Sequence, residues 1–226
     1  MNNHQSLRHF LRNSVFARSV YVFLFIGMVG MLFFKQGDAV LFVNTYCTHT
    51  FFDYFFRALT FFGNGIIFVV AIIAYMFVSY QKALQYAIVG LLVLLVSFLL
   101  KHIVFGALPR PTLFFDLSEF HYIIPHVDFA RHFSFPSGHT MTAFAFFALT
   151  SYHASQKSLL YIYVILAFIV GFSRIYLLMH FFRDVYAGVC IGLVLMILGV
   201  FLSKHVHVPP HRGLIKRNQL LERQSV

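Results

Sequence analysis

Two short stretches place reactive side chains inside otherwise apolar sequence. In FSFPSGHTMTAFAFF, which begins at Phe133, the residues Pro136, Ser137, Gly138 and His139 stand where an apolar run starts. In SRIYLLMHFFRD, from Ser173, the residues Arg174, His180 and Asp184 interrupt the apolar run. Ionisable groups are expensive in a membrane and are kept there for a function. His180 and Asp184 are four residues apart, so on a helix they share a face. A carboxylate behind an imidazole holds one ring nitrogen as the donor and leaves the other free as a nucleophile or base. Arg174 precedes His180 by six positions, about 240° around a regular helix. The two therefore do not share one unbroken helix: one helix is expected to end near Leu178 and the next to begin around His180. Anchoring at the membrane boundary would explain this stretch by itself.

The first stretch decides for a site. Pro136 suits the first turn of a helix, where its missing N–H is not needed. Ser137 and Gly138 then offer backbone N–H groups at a helix N-terminus, with nothing bulky to block an anion. His139 follows, placed to give or take a proton beside that anion. Upstream, KHIVFGALPRP adds Lys101 and Arg110. Three cations, a helix N-terminus, two histidines and an oriented carboxylate are the parts expected for phosphoryl transfer without a metal.

The elements that position these residues are membrane helices. The chain is 60% apolar, 19% aromatic and only 11% charged, against about 25% charged in soluble domains. Apolar blocks lie at about 19–34, 63–80, 84–105, 137–152, 159–178 and 185–203, and roughly 20 residues make one crossing. The expected fold is all-α: a six-span integral membrane bundle over 19–203, with a cytoplasmic N-terminal tail at 1–18 and a basic cytoplasmic tail at 204–226. The first block follows Arg8, Arg12 and Arg18 like a signal peptide, but it is too long for one and no small-x-small cleavage site follows. It is expected to remain as an anchor.

The net charge of +10 reports topology, and no nucleic-acid partner is expected. With both termini on one side, that side holds ten of the 17 Lys and Arg residues but only Glu222 of the seven acids. The positive-inside rule makes it cytoplasmic, and a basic tail touching anionic lipid gains about 1 kcal/mol per charge. Lys101, Arg110, His139, Arg174, His180 and Asp184 then gather at the extracytoplasmic ends of spans three to six, at headgroup depth. Between spans one and two, AVLFVNTYCTHTFFDYFFRALTFFGN carries Asp53 and Arg57 at helical spacing. It reads either as an interfacial amphipathic helix or as a re-entrant piece of the bundle. Residues 106–135 form a loop long enough to be functional, read as an extracytoplasmic cap over the polar cluster. His121, His126 and His132 in that loop fit no standard ligand spacing, and no metal or cofactor is expected. Cys47 and Cys190 are read as two small apolar residues without a disulfide.

Together the three stretches resemble the type 2 phosphatidic acid phosphatase superfamily, whose fold is shared with vanadium haloperoxidases. The family signatures are K-x(6)-R-P, P-S-G-H and S-R-x(5)-H-x(3)-D. The second matches at 136–139, and the third matches in full at Ser173, Arg174, His180 and Asp184. The resemblance covers roughly 60–203. It departs at the first signature, because eight residues rather than six separate Lys101 from Arg110. Lys101 then either reaches the phosphate from an altered turn along its flexible stem or marks the membrane boundary.

The resemblance implies that His180 attacks phosphorus and becomes a phosphohistidine, with Asp184 fixing its tautomer. His139 would protonate the leaving oxygen and then activate water. Arg110, Arg174 and Lys101 would bind the phosphoryl oxygens, helped by Ser137 and the Gly138 N–H. The expected activity is hydrolysis of a lipid phosphate or diphosphate at the extracytoplasmic face of the cell (inner) membrane. Undecaprenyl diphosphate and phosphatidylglycerol phosphate lead as substrates, with phosphorylated lipid A behind them. A lipid phosphotransferase, passing the phosphate to an acceptor such as lipid A, needs the same residues. A transporter would carry its charges near the midplane in broken helices, whereas spans one, two and six are uncharged in mid-span.

Overall fold

The computed structural model describes residues 6–154, 156–206 and 213, which are helical and contain no β-strand. Helices α1 (Leu7–Asn13) and α2 (Val15–Phe33) open the chain, and α3 (Asp38–Tyr46) and α4 (Thr50–Leu59) follow as short pieces. Then come α5 (Ile66–Val78), α6 (Tyr80–Leu99), the one-turn α7 (Pro111–Phe114), α8 (Gly138–His153), α9 (Lys157–Tyr176) and α10 (Phe182–Ser203). Among the described residues, four segments are long and apolar enough to cross a bilayer: α2, α6 with its extension to Val104, most of α9, and α10. The pair Thr50–Gly63 and Ile66–Val78 passes the same test together but is bent by 56°. The blocks expected at 63–80 and 137–152 correspond to α5, which is part of that bent pair, and to α8, which has 16 residues.

Helix α8, at 16 residues, is the centre of the bundle rather than a lipid-facing wall. Its residues from Thr140 to Ala145 are buried in unbroken succession, and α2, α6, α9 and α10 surround it. A helix apolar all round belongs in such a place. The closest neighbour is α10, whose Gly188 and Gly192 recur at the four-residue spacing that lets two membrane helices touch backbone to backbone. A Cβ at Gly192 would stand 2.7 Å from the Met141 carbonyl oxygen, and one at Gly188 would stand 2.9 Å from that of Ser137. This contact seats the start of α8 against the start of α10.

Outer faces are apolar where lipid would cover them. On α2, Val22, Phe25, Ile26, Val29, Leu32 and Phe33 are exposed; on α6, Leu91, Leu94, Leu95 and Phe98 are. So large an apolar surface marks a membrane face. Helix α4 is amphipathic: Asp53 and Phe56 are buried while Phe51, Phe52 and Tyr54 are exposed. Within the expected N-terminal tail, Ser6 and Ser14 cap α1 and α2, and the fully buried Phe10 meets the Tyr152 ring edge-on at 5.7 Å. The expected basic tail falls, beyond Val206, almost wholly outside the described residues.

Candidate active site

The ends of α6, α8, α9 and α10 meet at one end of the bundle, and the turn between α9 and α10 sets the geometry. After Tyr176 the chain reverses through Leu178, which takes a left-handed conformation (φ 57°). Such a residue costs about 1 kcal/mol, and complete burial holds it there. The reversal lets the Arg174 carbonyl accept from the N–H groups of both Met179 (3.0 Å) and His180 (3.1 Å). Arg174 and His180 are thereby fixed to each other without sharing a helix. One expectation is corrected: His180 lies in the turn, ahead of the N-cap Phe181, rather than on α10.

Asp184, in the first turn of α10, faces it nonetheless. His180 Nδ1 lies 3.5 Å from Asp184 Oδ2, longer than a full hydrogen bond but typical of catalytic pairs before substrate arrives. The Phe181 N–H (3.0 Å) and the Ser134 hydroxyl (2.5 Å) donate to the same oxygen. Arg183 Nε stands 3.5 Å from the other oxygen. His180 is 1% exposed and Asp184 0%, so solvent does not compete. Burial pushes the His180 pKa down to about 3, against the pull of Asp184. At physiological pH its imidazole is therefore a neutral base.

Helix α8 begins at Gly138, with Ser137 as its N-cap. Pro136 precedes the cap instead of filling the first turn, because the Ser137 Oγ takes the capping place. That oxygen accepts from the Thr140 N–H (3.4 Å) and the Thr140 hydroxyl (2.8 Å). The Ser137 N–H donates to the Asp184 carbonyl at 3.0 Å, so it is not open to an anion. The first-turn N–H groups of Gly138 and His139 lack intrahelical acceptors and can serve one. His139 lies within electrostatic reach of Arg174, His180, Lys101 and Arg110.

The eight-residue gap between Lys101 and Arg110 has a structural account. A π turn at Leu100–Val104 and Gly106 at φ 66° follow α6 within that gap, and a π turn accommodates one of the two residues by which the gap exceeds the signature. Lys101 Nζ ends 3.8 Å from where a Gly138 Cβ would stand. Arg110 Nε donates to the His132 carbonyl (2.8 Å) and Nη1 to that of Met179 (3.3 Å). Arg174 is 6% exposed; its Nη1 donates to Thr60 Oγ1 at 2.7 Å, and its Nε has no protein partner. Among the described residues, the ion pairs are those of Asp184 with His180 and Arg183. Lys101, Arg110 and Arg174 stand within electrostatic reach of one another, and none of them is paired with a carboxylate among these residues. An unpaired buried charge costs several kcal/mol, and an anion would relieve it.

The cap segment is tied down on its far side. The Asn44 amide exchanges hydrogen bonds with the Tyr122 backbone (2.6 and 3.1 Å). Asp53 accepts from the hydroxyls of Tyr122 (2.8 Å) and Tyr176 (2.6 Å). Asp53 does not pair with Arg57, which is exposed. Asp116, Glu119, Asp128 and Arg131 are exposed on the cap. Among the described residues, no three His, Cys, Asp or Glu side chains gather to hold a metal ion.

Sequence reasoning missed Thr60, Ser134 and the role of Asp53. An acid within FFDYFF was a usable signal, since a carboxylate among aromatics needs donors. Thr60 and Ser134 gave none, because their partners lie 114 and 50 positions away.

Comparison with known proteins adds the following. Residues 82–205 match the family described as the PAP2 superfamily. Phosphatidylglycerophosphatase B of Bacillus subtilis (strain 168) is 39% identical over 75 residues, 29% of this chain and 37% of that protein. The match thus spans little more than a third of that relative's length. Among solved structures, Aquifex aeolicus LpxE superposes with a TM-score of 0.62 at 24% identity, over 76% of this chain and 98% of that one. The first transmembrane PAP2 type phosphatidylglycerolphosphate phosphatase from Bacillus subtilis superposes with a TM-score of 0.58 at 22% identity, over 84% and 96%. At these identities the two structures speak to the fold.

Proposed function

The chain belongs to the PAP2 superfamily, and on that premise we propose that it is a membrane phosphatase acting on a lipid phosphate or diphosphate. The observation that carries this reading is the buried Arg174 clustered with Lys101 and Arg110, none of the three ion-paired with a carboxylate among the described residues. In the proposed reaction His180 Nε2 attacks phosphorus, since Nδ1 faces Asp184. The bond to the leaving oxygen breaks, and His139 gives that oxygen its proton. His139 then takes a proton from water as the water oxygen attacks the phosphohistidine. Inorganic phosphate leaves, and both histidines are restored. The three cations hold the phosphoryl oxygens, Arg110 and Arg174 through their forked donors, and the Gly138 N–H adds a hydrogen bond. Ser137 contributes by capping α8 rather than through its own N–H. The reaction is proposed to need no metal.

The site is proposed to face the extracytoplasmic side of the cell inner membrane, with both termini cytoplasmic. The unequal distribution of Lys and Arg supports this. A lipid headgroup would reach the site while its chains stay in the bilayer, gaining about 0.8 kcal/mol per buried CH₂. Phosphatidylglycerol phosphate leads as substrate, supported by the name of the curated relative, with undecaprenyl diphosphate beside it. The test is phosphate release by the purified protein from a panel of lipid phosphates, with EDTA and with orthovanadate. Activity that survives EDTA, is blocked by vanadate and is lost in His180→Ala is the expected result. Full activity in His180→Ala would overturn the nucleophile assignment, and equal kcat/KM for a lipid and its short-chain soluble analogue would overturn the membrane substrate.

A further inference from the structure

The 3-10 turn Thr60–Gly63 lies outside the residues that match the family, yet it forms a wall of the site. Arg174 is an almost fully buried cation whose side-chain anchor in the protein is the Thr60 hydroxyl, at 2.7 Å. Its Nε has no partner, so among the described residues the Thr60 hydroxyl is the guanidinium's hydrogen-bond acceptor. Thr60 is itself held, because its N–H bonds back to the carbonyls of Phe56 and Ala58 at the end of α4. Three residues on, Gly63 stands against His139. A Cβ there would fall 2.8 Å from His139 Cβ, 3.0 Å from its Cδ2 and 2.9 Å from Val170 Cγ1. No side chain fits without pushing the imidazole aside.

We propose that Thr60 and Gly63 are positioning residues of the anion site: Thr60 aims the Arg174 guanidinium at the bound phosphoryl group, and Gly63 sets where His139 stands. This rests on reading the site as phosphate-binding. The bend between α4 and α5 then has a purpose, since it is the geometry that brings a turn of an interfacial segment against α8 and α9. The two residues act on different groups, so their loss has different signatures. Thr60 acts through a cation that binds in ground and transition state alike, and its loss weakens phosphate binding. Gly63 acts through the proton-transfer group, and its loss slows turnover.

The test uses the full chain in detergent, with inorganic phosphate and orthovanadate as probes in calorimetric titrations, beside kcat and KM on a lipid phosphate. Thr60→Val removes the hydroxyl at near-constant shape. A hydrogen bond to a charged group corresponds to about tenfold to a hundredfold in binding, so phosphate and vanadate affinity fall by that factor and kcat/KM follows. Thr60→Ser, which keeps the hydroxyl, recovers affinity to within about threefold of wild type. Gly63→Ala keeps phosphate affinity and loses about tenfold or more in kcat, as displacement of a catalytic group does. Thr60→Val with wild-type affinity, or Thr60→Ser no better than Thr60→Val, would overturn the role of Thr60. Wild-type kcat in Gly63→Ala would overturn that of Gly63. If the wild-type protein binds neither phosphate nor vanadate, the phosphatase reading fails first, and the inference fails with it.

Discussion

Replacing Ser134 by alanine tests the support of the proposed catalytic pair, His180 and Asp184, without touching either histidine. Ser134 is fully buried, and its hydroxyl donates to Asp184 Oδ2 at 2.5 Å. That oxygen keeps the Phe181 N–H at 3.0 Å and faces His180 Nδ1 at 3.5 Å. Arg183 Nε waits at 3.5 Å from Oδ1. Without the hydroxyl the carboxylate loses its shortest hydrogen bond and is free to turn toward Arg183. Loss of a hydrogen bond to a charged group is worth about 1.5–3 kcal/mol. Expressed wholly in the transition state, that would be about tenfold to 150-fold in rate. We expect about tenfold in kcat, because the backbone donor still orients the carboxylate. KM should stay within about twofold, since Ser134 is hydrogen-bonded to Asp184 and Leu108 and to none of the three cations. The thermal midpoint in detergent should fall as well, as removal of a buried partner requires. The assay is phosphate release from a lipid phosphate across a substrate series, with unfolding followed in the same detergent. An unchanged kcat, or a loss confined to KM, would refute the reasoning: Asp184 would not depend on Ser134 for its place, or would not act on His180.

Three further outcomes are expected. Gly188→Ala puts a methyl 2.8 Å from Thr140 Cβ and 2.9 Å from the Ser137 carbonyl; overpacking of this kind costs about 1–3 kcal/mol. It should lower both the unfolding midpoint and kcat, while Gly30→Ala, which meets only Phe34 Cδ2 at 4.0 Å, should change neither. Because His180 falls from its ordinary 6.5 to about 3 in the folded protein, below pH 6.5 the unfolded chain binds a proton that the folded chain refuses. Stability should then fall with pH at up to about 1.4 kcal/mol per unit, and His180→Gln should lose less than wild type between pH 7 and 5. Tyr122→Phe removes one donor to Asp53 and should cost about 1 kcal/mol; a double-mutant cycle with Tyr176→Phe should show coupling through the shared carboxylate, and strict additivity would deny it.

The sequence by itself carried what local spacing and composition can carry. A low charge content and long apolar blocks point to lipid, and the order of Arg110, His139, Arg174, His180 and Asp184 at the ends of those blocks points to an anion site. The six positions from Arg174 to His180 require a break between them, and the chain breaks there, at Leu178. Tertiary structure decided the rest. The distance from Lys101 to Gly138 depends on a π turn that a residue count does not reveal. The Ser137 N–H, expected to meet an anion, is taken by the Asp184 carbonyl, because Gly188 and Gly192 bring α10 against the start of α8. Thr60, Gly63 and Ser134 entered the site with no local signature, as their partners stand on other helices. Spacing along one helix constrains neighbours three or four residues apart. Which distant backbone fills the space beside them is set by how closely the helices pack, and that depends on the whole bundle at once.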